Sequence, residues 1–187
     1  MGQRHIVEQV SPYVALLRGI NVGGKHIVPM QQLAEIFTRA KCGNVRTYIQ
    51  SGNVVFTASP RVAKALPALL AKKLEERFGF PVPVVLRNRE ELAEAARNNP
   101  FLKAGLPQPT LHVYFLADIP SVDAVKTLDP QRSAPDAFRL SGREIYLHVP
   151  NGMGRTKLTS TYFDSRLKTV CTARNWNTVL KLLEMMS

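Results

Sequence analysis

VRTYIQSGNVVFT, residues 45–57, is the segment from which the fold of this chain can first be inferred. Val45–Gln50 and Asn53–Thr57 are rich in β-branched and aromatic residues, which favour β-strands. Ser51-Gly52 lies between the two runs and is a turn sequence. Two strand-like runs joined by so short a turn predict an antiparallel hairpin.

The elements on either side of this hairpin follow a known order. An apolar run before it predicts a strand, and a helix is expected to begin near Pro29. After the hairpin, Ser59-Pro60 predicts the start of a long helix that ends at Gly79. The first half therefore reads β-α-β-β-α-β followed by a further helix. Its first strand is predicted at residues 13–18 and its last at residues 82–87.

The second half of the chain repeats this order around a second Ser-Gly pair, Ser141-Gly142. We therefore predict an α+β protein with two ferredoxin-like (βαββαβ) subdomains in tandem, each followed by a helix. Asn98–Pro109, which contains three prolines and a glycine, is expected to link them. The predicted division is a loose N-terminal extension at residues 1–10, a first subdomain at 11–99 and a second subdomain with a C-terminal helix at 100–187.

The chain has an excess of basic residues. Its 187 residues include 25 Lys and Arg against 14 Asp and Glu, which gives a formal net charge of +11. A basic surface favours polyanionic partners such as nucleic acid. Aromatic residues make up only 7% of the chain, and no ribonucleoprotein motif occurs. Base stacking on a sheet is therefore not supported.

Composition also bears on the compartment. No apolar run approaches the roughly 20 residues of a membrane helix, so no membrane partner is predicted. The first ten residues lack the apolar core of a signal peptide. Cys42 and Cys171 cannot form a disulfide framework and match no zinc spacing, so we interpret them as buried thiols. A reducing cytoplasm is the expected location.

The strongest local feature is a glycine-rich basic loop, RGINVGGK, that directly follows the first strand. Its glycines allow positive φ and close approach of the backbone to a ligand. Its N–H groups and basic side chains together predict an anion-binding nest. The residues predicted to bind the anion are Arg18, Gly19, Asn21, Gly23, Gly24 and Lys25.

The first loop has two other interpretations. The spacing from Gly19 to Lys25 resembles a nucleoside-triphosphate loop, but His26 replaces the Ser or Thr that would bind magnesium. Pro29 also delays the helix, so an ATPase of that kind is rejected. The remaining alternative is a tight strand-to-helix turn whose glycines serve packing.

A second basic loop, PNGMGRTK at residues 150–157, lies between a predicted strand and helix. We expect Thr156 to cap that helix, whose positive N-terminal end would favour an anion. The alternative is an ordinary loop with a solvated basic rim. The residues predicted to bind the anion here are Asn151, Gly152, Gly154, Arg155 and Lys157.

The predicted topology suggests that the two loops lie together. We expect the first and third strands of each half to be central, parallel neighbours. The first loop follows the first strand of one half, and the second loop follows the third strand of the other. Ligand crevices often form at the carboxyl ends of central strands, so the loops are expected to border one cleft.

No catalytic constellation can be assigned from the sequence. The histidines show no metal-binding spacing, so neither a metal nor a cofactor is predicted. No Gly-x-Ser-x-Gly elbow and no obvious pair of carboxylates occurs. His26, beside Lys25, is the one acid–base candidate inside a predicted site. The four histidines are His5, His26, His112 and His148.

Several longer motifs resemble a widespread bacterial family known as domain of unknown function sixteen ninety-seven. These are LLRGINVGGKHIVPMQQL at residues 16–33, VRTYIQSGNVVF at 45–56, YLHVPNGMGRTKL at 146–158 and TARNWNTVLKLLEM at 172–185. The resemblance covers nearly the whole chain from Tyr13. It implies a cytoplasmic α+β protein made of two ferredoxin-like subdomains, and it implies no activity.

Three functions are compatible with these observations. The best supported is binding of a phosphate-bearing or other anionic ligand, either a nucleotide or nucleic acid, at the two loops. The second is an enzyme that acts on a small anionic substrate and uses the loop cations to stabilise developing negative charge. The third is a structural or protein-interaction module. The sequence leaves the oligomeric state open.

Overall fold

The computed structural model describes residues 9–187. The extension predicted at residues 1–10 lies outside the described residues, apart from Gln9 and Val10, which are in neither a helix nor a strand. The described chain folds into two four-stranded antiparallel sheets with helices packed against them. The α+β class predicted from the sequence is confirmed.

The first sheet forms as the hairpin and its flanking signals predict. Its strands lie in the order β2-β3-β1-β4. The Ser59 side chain caps the long helix by accepting a hydrogen bond from the backbone N–H of Val62, and Gly79 ends that helix with φ of 79°. The elements are β1 (Ser11–Leu17), α1 (Met30–Arg39), β2 (Gly43–Tyr48), β3 (Asn53–Ala58), α2 (Pro60–Phe78), β4 (Val84–Asn88) and α3 (Arg89–Arg97).

The second sheet repeats the first. Its strand order, β6-β7-β5-β8, places the four strands as in the first sheet, so both halves have the ferredoxin-like order. A short helix, α4 (Pro100–Lys103), lies in the predicted linker. The remaining elements are β5 (Leu111–Leu116), α5 (Val122–Lys126), β6 (Ala137–Ser141), β7 (Glu144–His148), α6 (Ser160–Leu167), β8 (Cys171–Asn175) and α7 (Trp176–Met185).

The direction of the central strands differs from the prediction. β1 pairs with β3 in antiparallel fashion, and β5 pairs with β7 in the same way. The expectation of parallel central neighbours is therefore wrong. The physical reason is that the α1 crossover makes β1 and β2 run in the same direction, while the hairpin makes β3 run back between them.

The core has three parts. Successive residues of β1 point to opposite faces, so Ala15 packs against α1 and α2, while Val14 and Leu16 face the other half. The middle part contains residues of both sheets, including Phe115, and side chains of α3 and α7, including Trp176. Because the two halves share this buried layer, the division of the chain between residues 99 and 100 stays a prediction.

A buried arginine of the first half reaches into the second. Arg87, near the end of β4, donates to the carbonyl oxygens of Leu116 at 2.8 Å and Arg143 at 3.0 Å. Its Nε also donates to Glu144 Oε1 at 2.9 Å. Only 1% of the Arg87 side chain is exposed, so these contacts satisfy a guanidinium that is closed off from water.

A second buried arginine makes the reciprocal contact. Arg174, near the end of β8, donates to the carbonyl oxygens of Leu17 at 2.7 Å and Gly52 at 3.2 Å in the first half. Its Nε donates to the side-chain oxygen of Asn53. The acceptors are equivalent to those of Arg87, because Leu17 N–H bonds to Gly52 and Leu116 N–H bonds to Arg143, both at 2.8 Å. The halves are therefore joined by an approximate internal twofold relation.

None of the helices formed by residues 9–187 is both long enough and apolar enough to cross a bilayer.

Candidate functional site

The side chain of Arg18, at the start of the first loop, contacts the second half. It donates to Asp164 Oδ2 at 2.6 Å and to the carbonyl oxygen of Cys171 at 2.8 Å. About a quarter of each side chain of the Arg18–Asp164 pair is exposed. The guanidinium therefore has a clear structural role, which weakens the prediction that it binds an anion.

Asn21 also makes internal contacts. Its side-chain amide donates to the carbonyl oxygens of Val28 and Gln50, both at 3.0 Å. Its Oδ1 accepts from the backbone N–H of Val28 at 2.8 Å. Asn21 therefore fixes the first loop to Val28, just before α1, and to Gln50 in the β2–β3 turn.

The glycines of the first loop are required by the backbone conformation rather than by packing. Gly19, Gly23 and Gly24 have φ of 75°, 58° and 72°, and a Cβ added at any of them would meet no atom within 4 Å. Lys25 is exposed, and its N–H closes a turn to Val22 at 3.0 Å. Anion binding by Lys25 and the loop amides stays a prediction.

His26 takes part in the structure of the same loop. Its Nδ1 lies 3.0 Å from the carbonyl oxygen of Gly19, and its ring stacks on Phe80 with a centroid distance of 4.4 Å. These two contacts account for the position of the imidazole. They give no support to the acid–base role considered from the sequence.

The second loop is shaped by two tight turns. The N–H of Gly152 donates to Val149 at 3.1 Å, the N–H of Arg155 donates to Gly152 at 3.2 Å, and Gly152 has φ of 82°. The predicted helix cap is wrong, because Thr159 rather than Thr156 accepts from the N–H of Tyr162 and begins α6. The loop therefore ends before the helix, and the helix terminus lies outside the predicted anion site.

The second loop instead forms one wall of a cleft of about 420 Å³. The opposite wall is the segment 131–136, which precedes β6. Most of the lining side chains are polar or charged. The lining residues are Gln131, Arg132, Ser133, Ala134, Pro135, Asp136, Asn151, Arg155 and Lys157.

Ser133 joins the two walls of this cleft. Its hydroxyl accepts from the backbone N–H of Lys157 at 2.9 Å and donates to Asp136 Oδ2 at 2.7 Å. The hydroxyl of Thr156 lies 3.3 Å from the hydroxyl oxygen of Ser133. Because the Ser133 proton is already shared with Asp136, Thr156 is the donor in this contact. The backbone of Lys157 is thereby held in place.

The cleft has a positive charge balance. Arg132, Arg155 and Lys157 line it together with a single carboxylate, that of Asp136. Arg132 donates through Nε to the carbonyl oxygen of Lys157 at 3.0 Å and lies over the Tyr162 ring at 4.1 Å from its centroid. Arg155 and Lys157 are exposed, and within residues 9–187 neither side chain makes an ion pair or a hydrogen bond.

The structure brings together only part of the predicted site. Asn151, Arg155 and Lys157 line the cleft, whereas no residue of the first loop does. Val149, which precedes the second loop, bonds to Thr110 at one end of β5. Arg18 contacts Cys171, which pairs with Leu116 at the other end. A strand of this length separates the two positions by about 20 Å.

The shared cleft therefore does not form in the predicted way. The strand before the second loop, β7, runs antiparallel to β5, so its carboxyl end lies beside the start of β5. Arg18 instead lies near the carboxyl end of β5. Sequence reasoning also missed Arg132, Ser133 and Asp136. The available signal was a polar segment with two prolines, DPQRSAPD at residues 129–136, between a helix and a hairpin. Nothing in the local pattern related that segment to the second loop.

The side chains that line the cleft are charged or polar, apart from Ala134 and Pro135. None of its lining residues is a histidine or a cysteine, and the hydroxyl of Ser133 is already hydrogen-bonded to Asp136 and Lys157. Within residues 9–187, no cluster of three or more His, Cys, Asp or Glu side chains is arranged to hold a metal ion. Basic side chains, the Asp136 carboxylate, neutral polar side chains and a backbone turn are the groups that can contact a ligand.

The fold and the cleft define an α+β protein with two ferredoxin-like halves and a basic surface cleft. The chain belongs to the DUF1697 family, described as "protein of unknown function", whose family model matches residues 10–146. The chain is similar to the conserved bacterial protein SP0830 from Streptococcus pneumoniae, with 23% identity and a TM-score of 0.74. That match covers 95% of this chain and 99% of the other, and it shows the shared fold. No curated protein matches the chain.

Proposed function

We propose that this protein binds a small phosphate-bearing anion in the cleft between the second loop and the segment 131–136. The observation that carries the proposal is the convergence of Arg132, Arg155 and Lys157 on one cleft of about 420 Å³. Cleft-shaped ligand sites commonly have volumes of about 300–1,000 Å³. Basic side chains bind phosphate through charge-assisted hydrogen bonds, which are stronger than neutral ones.

The way the cations are held supports this assignment. Arg132 is restrained by the carbonyl oxygen of Lys157 and by the Tyr162 ring, and within residues 9–187 only its Nε donates a hydrogen bond. Restraint of a ligand-binding side chain lowers the entropy lost when the ligand binds. The Ser133 hydroxyl also fixes the loop backbone at Lys157. The cleft is therefore largely organised before a phosphate arrives.

Net charge and the two cysteines bear on which ligand the protein meets and in which compartment. The net charge of +11 makes nucleic acid a competing phosphate source, which the experiment below distinguishes. Cys42 and Cys171 are free and buried, as expected of a protein kept in a reducing compartment. We therefore include a cytoplasmic location in the proposal.

The test is calorimetric titration with sodium pyrophosphate at low ionic strength. The double variant Arg155→Met/Lys157→Met removes two exposed charges from the cleft. We expect it to weaken pyrophosphate binding by at least about tenfold, because two charge-assisted contacts are lost. The matched control is Arg61→Met/Lys64→Met, which removes one Arg and one Lys from exposed positions on α2.

The control variant should bind pyrophosphate within about twofold of the unmodified protein, since it changes only the net charge. Equal loss in both double variants would reject the cleft as the site. A single-stranded oligonucleotide is titrated in parallel over a range of salt concentrations. An oligonucleotide affinity that exceeds that of pyrophosphate, with a log–log salt slope of about −0.7 per phosphate contact, would assign nucleic acid instead.

A further inference from the structure

The wall of the same cleft carries a carboxylate that a simple phosphate site does not need. We propose that the cleft is selective for phosphorylated sugars, either free sugar phosphates or ribonucleotides, and that Asp136 accepts a hydrogen bond from a ligand hydroxyl. This inference rests on the proposed function and specifies the class of ligand.

Asp136 is held in a defined position. Only 9% of the residue is exposed, its Oδ2 accepts from Ser133 at 2.7 Å, and its N–H donates to the carbonyl oxygen of Ser133 at 2.8 Å. Its Oδ1 receives no hydrogen bond from residues 9–187. The cleft therefore contains one fixed carboxylate with an acceptor oxygen that no group in the described part of the chain uses.

The phosphate is not the ligand group that meets this oxygen, because two negative charges at contact distance repel each other. Asp136 therefore requires a donor from another part of the ligand. A ligand ammonium would be disfavoured by the three nearby cations, Arg132, Arg155 and Lys157. An uncharged hydroxyl is repelled by neither sign of charge and can donate directly to a carboxylate.

The size of the cleft is consistent with a ligand larger than phosphate. Its volume of about 420 Å³ lies within the roughly 300–1,000 Å³ of sites that hold small organic ligands. A carboxylate that accepts from ribose hydroxyls, with the phosphate held separately by N–H donors, is an arrangement known from nucleotide-binding folds. Here a phosphate at the cations leaves the rest of the cleft, including Asp136, for the sugar.

The first experiment varies the ligand and leaves the protein unchanged. Methyl phosphate and ribose 5-phosphate are both phosphate monoesters, and only the second carries sugar hydroxyls. We expect ribose 5-phosphate to bind at least about tenfold more tightly by calorimetry, because a hydrogen bond to a charged acceptor is stronger than one to a neutral group. Equal affinities would overturn the inference.

The second experiment uses Asp136→Asn. The amide oxygen can still accept from Ser133, but an NH₂ donor then replaces the free acceptor oxygen. The preference for ribose 5-phosphate over methyl phosphate should fall to about twofold or less, while methyl phosphate binding is kept or strengthened by the loss of a negative charge. An unchanged preference would overturn the inference. Should this buried variant fail to fold, the ligand comparison alone decides.

The results separate the two proposals. If methyl phosphate and pyrophosphate bind but sugar hydroxyls add nothing, only the inference fails. If none of the three compounds binds, the proposed function fails as well. Adenosine 5′-monophosphate distinguishes the sources: binding at least as tight as that of ribose 5-phosphate assigns ribonucleotides, and weaker binding assigns free sugar phosphates.

Discussion

The two halves of the molecule compensate a buried arginine with different acceptor groups. Each receives a buried arginine from the other half at the end of its first strand. In the second half the guanidinium of Arg87 meets a carboxylate, Glu144. In the first half the guanidinium of Arg174 meets neutral acceptors, namely the side chain of Asn53 and the carbonyl oxygens of Leu17 and Gly52.

This difference shows that a buried positive charge can be satisfied without an opposite charge. Burial lowers the pKa of Arg174 to about 10, and among residues 9–187 no acid opposes that shift. Burial also lowers the pKa of Arg87, but the neighbouring Glu144 acts in the opposite direction. With a pKa of about 10, Arg174 remains charged near neutral pH. In the first half the aligned dipoles of carbonyl and amide groups therefore provide the compensation.

Removing either arginine should give the largest change in stability. We expect Arg174→Met to lower the free energy of unfolding by about 3–5 kcal/mol, because it leaves several buried carbonyl oxygens without donors. Arg87→Met should cost about 2–4 kcal/mol, because Glu144, 17% exposed, can still reach water. Urea denaturation measures both. Arg139→Met, at an exposed arginine, is the control, and a greater loss from Arg87→Met would reverse the comparison.

The two hairpins provide the next test. Gly52→Ala would place a Cβ 2.7 Å from Leu17 Cβ at φ of 76°, whereas Gly142→Ala, at φ of 59°, meets only Glu144 Oε2 at 3.9 Å. We expect a loss of about 3 kcal/mol or more for Gly52→Ala and about 1 kcal/mol for Gly142→Ala. Thermal unfolding of both variants measures the difference, and equal losses would show that the β2–β3 turn relaxes away from β1.

A smaller effect is expected at Arg18, whose ion pair has no counterpart in the other half. The equivalent position is Ala117, since Arg18 N–H bonds to Pro83 and Ala117 N–H bonds to Val170. Arg18→Met should lower the free energy of unfolding by about 1 kcal/mol, because the pair is partly exposed. Denaturation at low and high salt should show the loss shrinking as salt screens the pair. A loss that salt does not change would contradict this account.

The cysteines should react slowly with alkylating reagents in the folded protein. Burial raises the pKa of Cys42 from 9.0 to about 11 and also raises the pKa of Cys171. At about pH 8 the thiolate of Cys42 is then about 100-fold less populated than in a free thiol. Alkylation by iodoacetamide, followed by mass spectrometry, should be slow in folded protein and fast in urea. Rapid labelling of folded protein would contradict the buried positions.

The raised pKa of Cys42 also makes the stability of the protein depend on pH. A thiol whose pKa is raised in the folded state contributes stability below the unfolded value of 9.0, and that contribution is lost as the pH rises towards about 11. Cys42→Ala should therefore reduce the loss of stability over this alkaline range, as measured by urea denaturation at each pH.

The elements of the fold were largely predictable from the sequence because their signals are local. Ser59 and Gly79 cap α2 where the sequence predicts, and Asn88 with Glu91 forms a capping box at the start of α3. Turn residues and caps act through contacts within about four residues, so their effect depends little on the rest of the chain.

The candidate site was predictable only in part. Arg155 and Lys157 were found because they stand beside glycines in one loop, but Arg132 and Asp136 lie on a separate segment. Arg18 was chosen by the same loop pattern, yet it pairs with Asp164, 146 residues away. A local pattern indicates which side chains have charge and does not show which of them are already engaged.

The amino-acid order alone was sufficient to establish two βαββαβ units with their caps and turns, since hydrophobic periodicity and turn chemistry act over a few residues. The direction of the central strands, the reciprocal placement of Arg87 and Arg174, and the cleft around Ser133 arose only when distant segments packed together. These features depend on long-range hydrogen bonds and shared burial, which have no counterpart in the spacing of neighbouring residues.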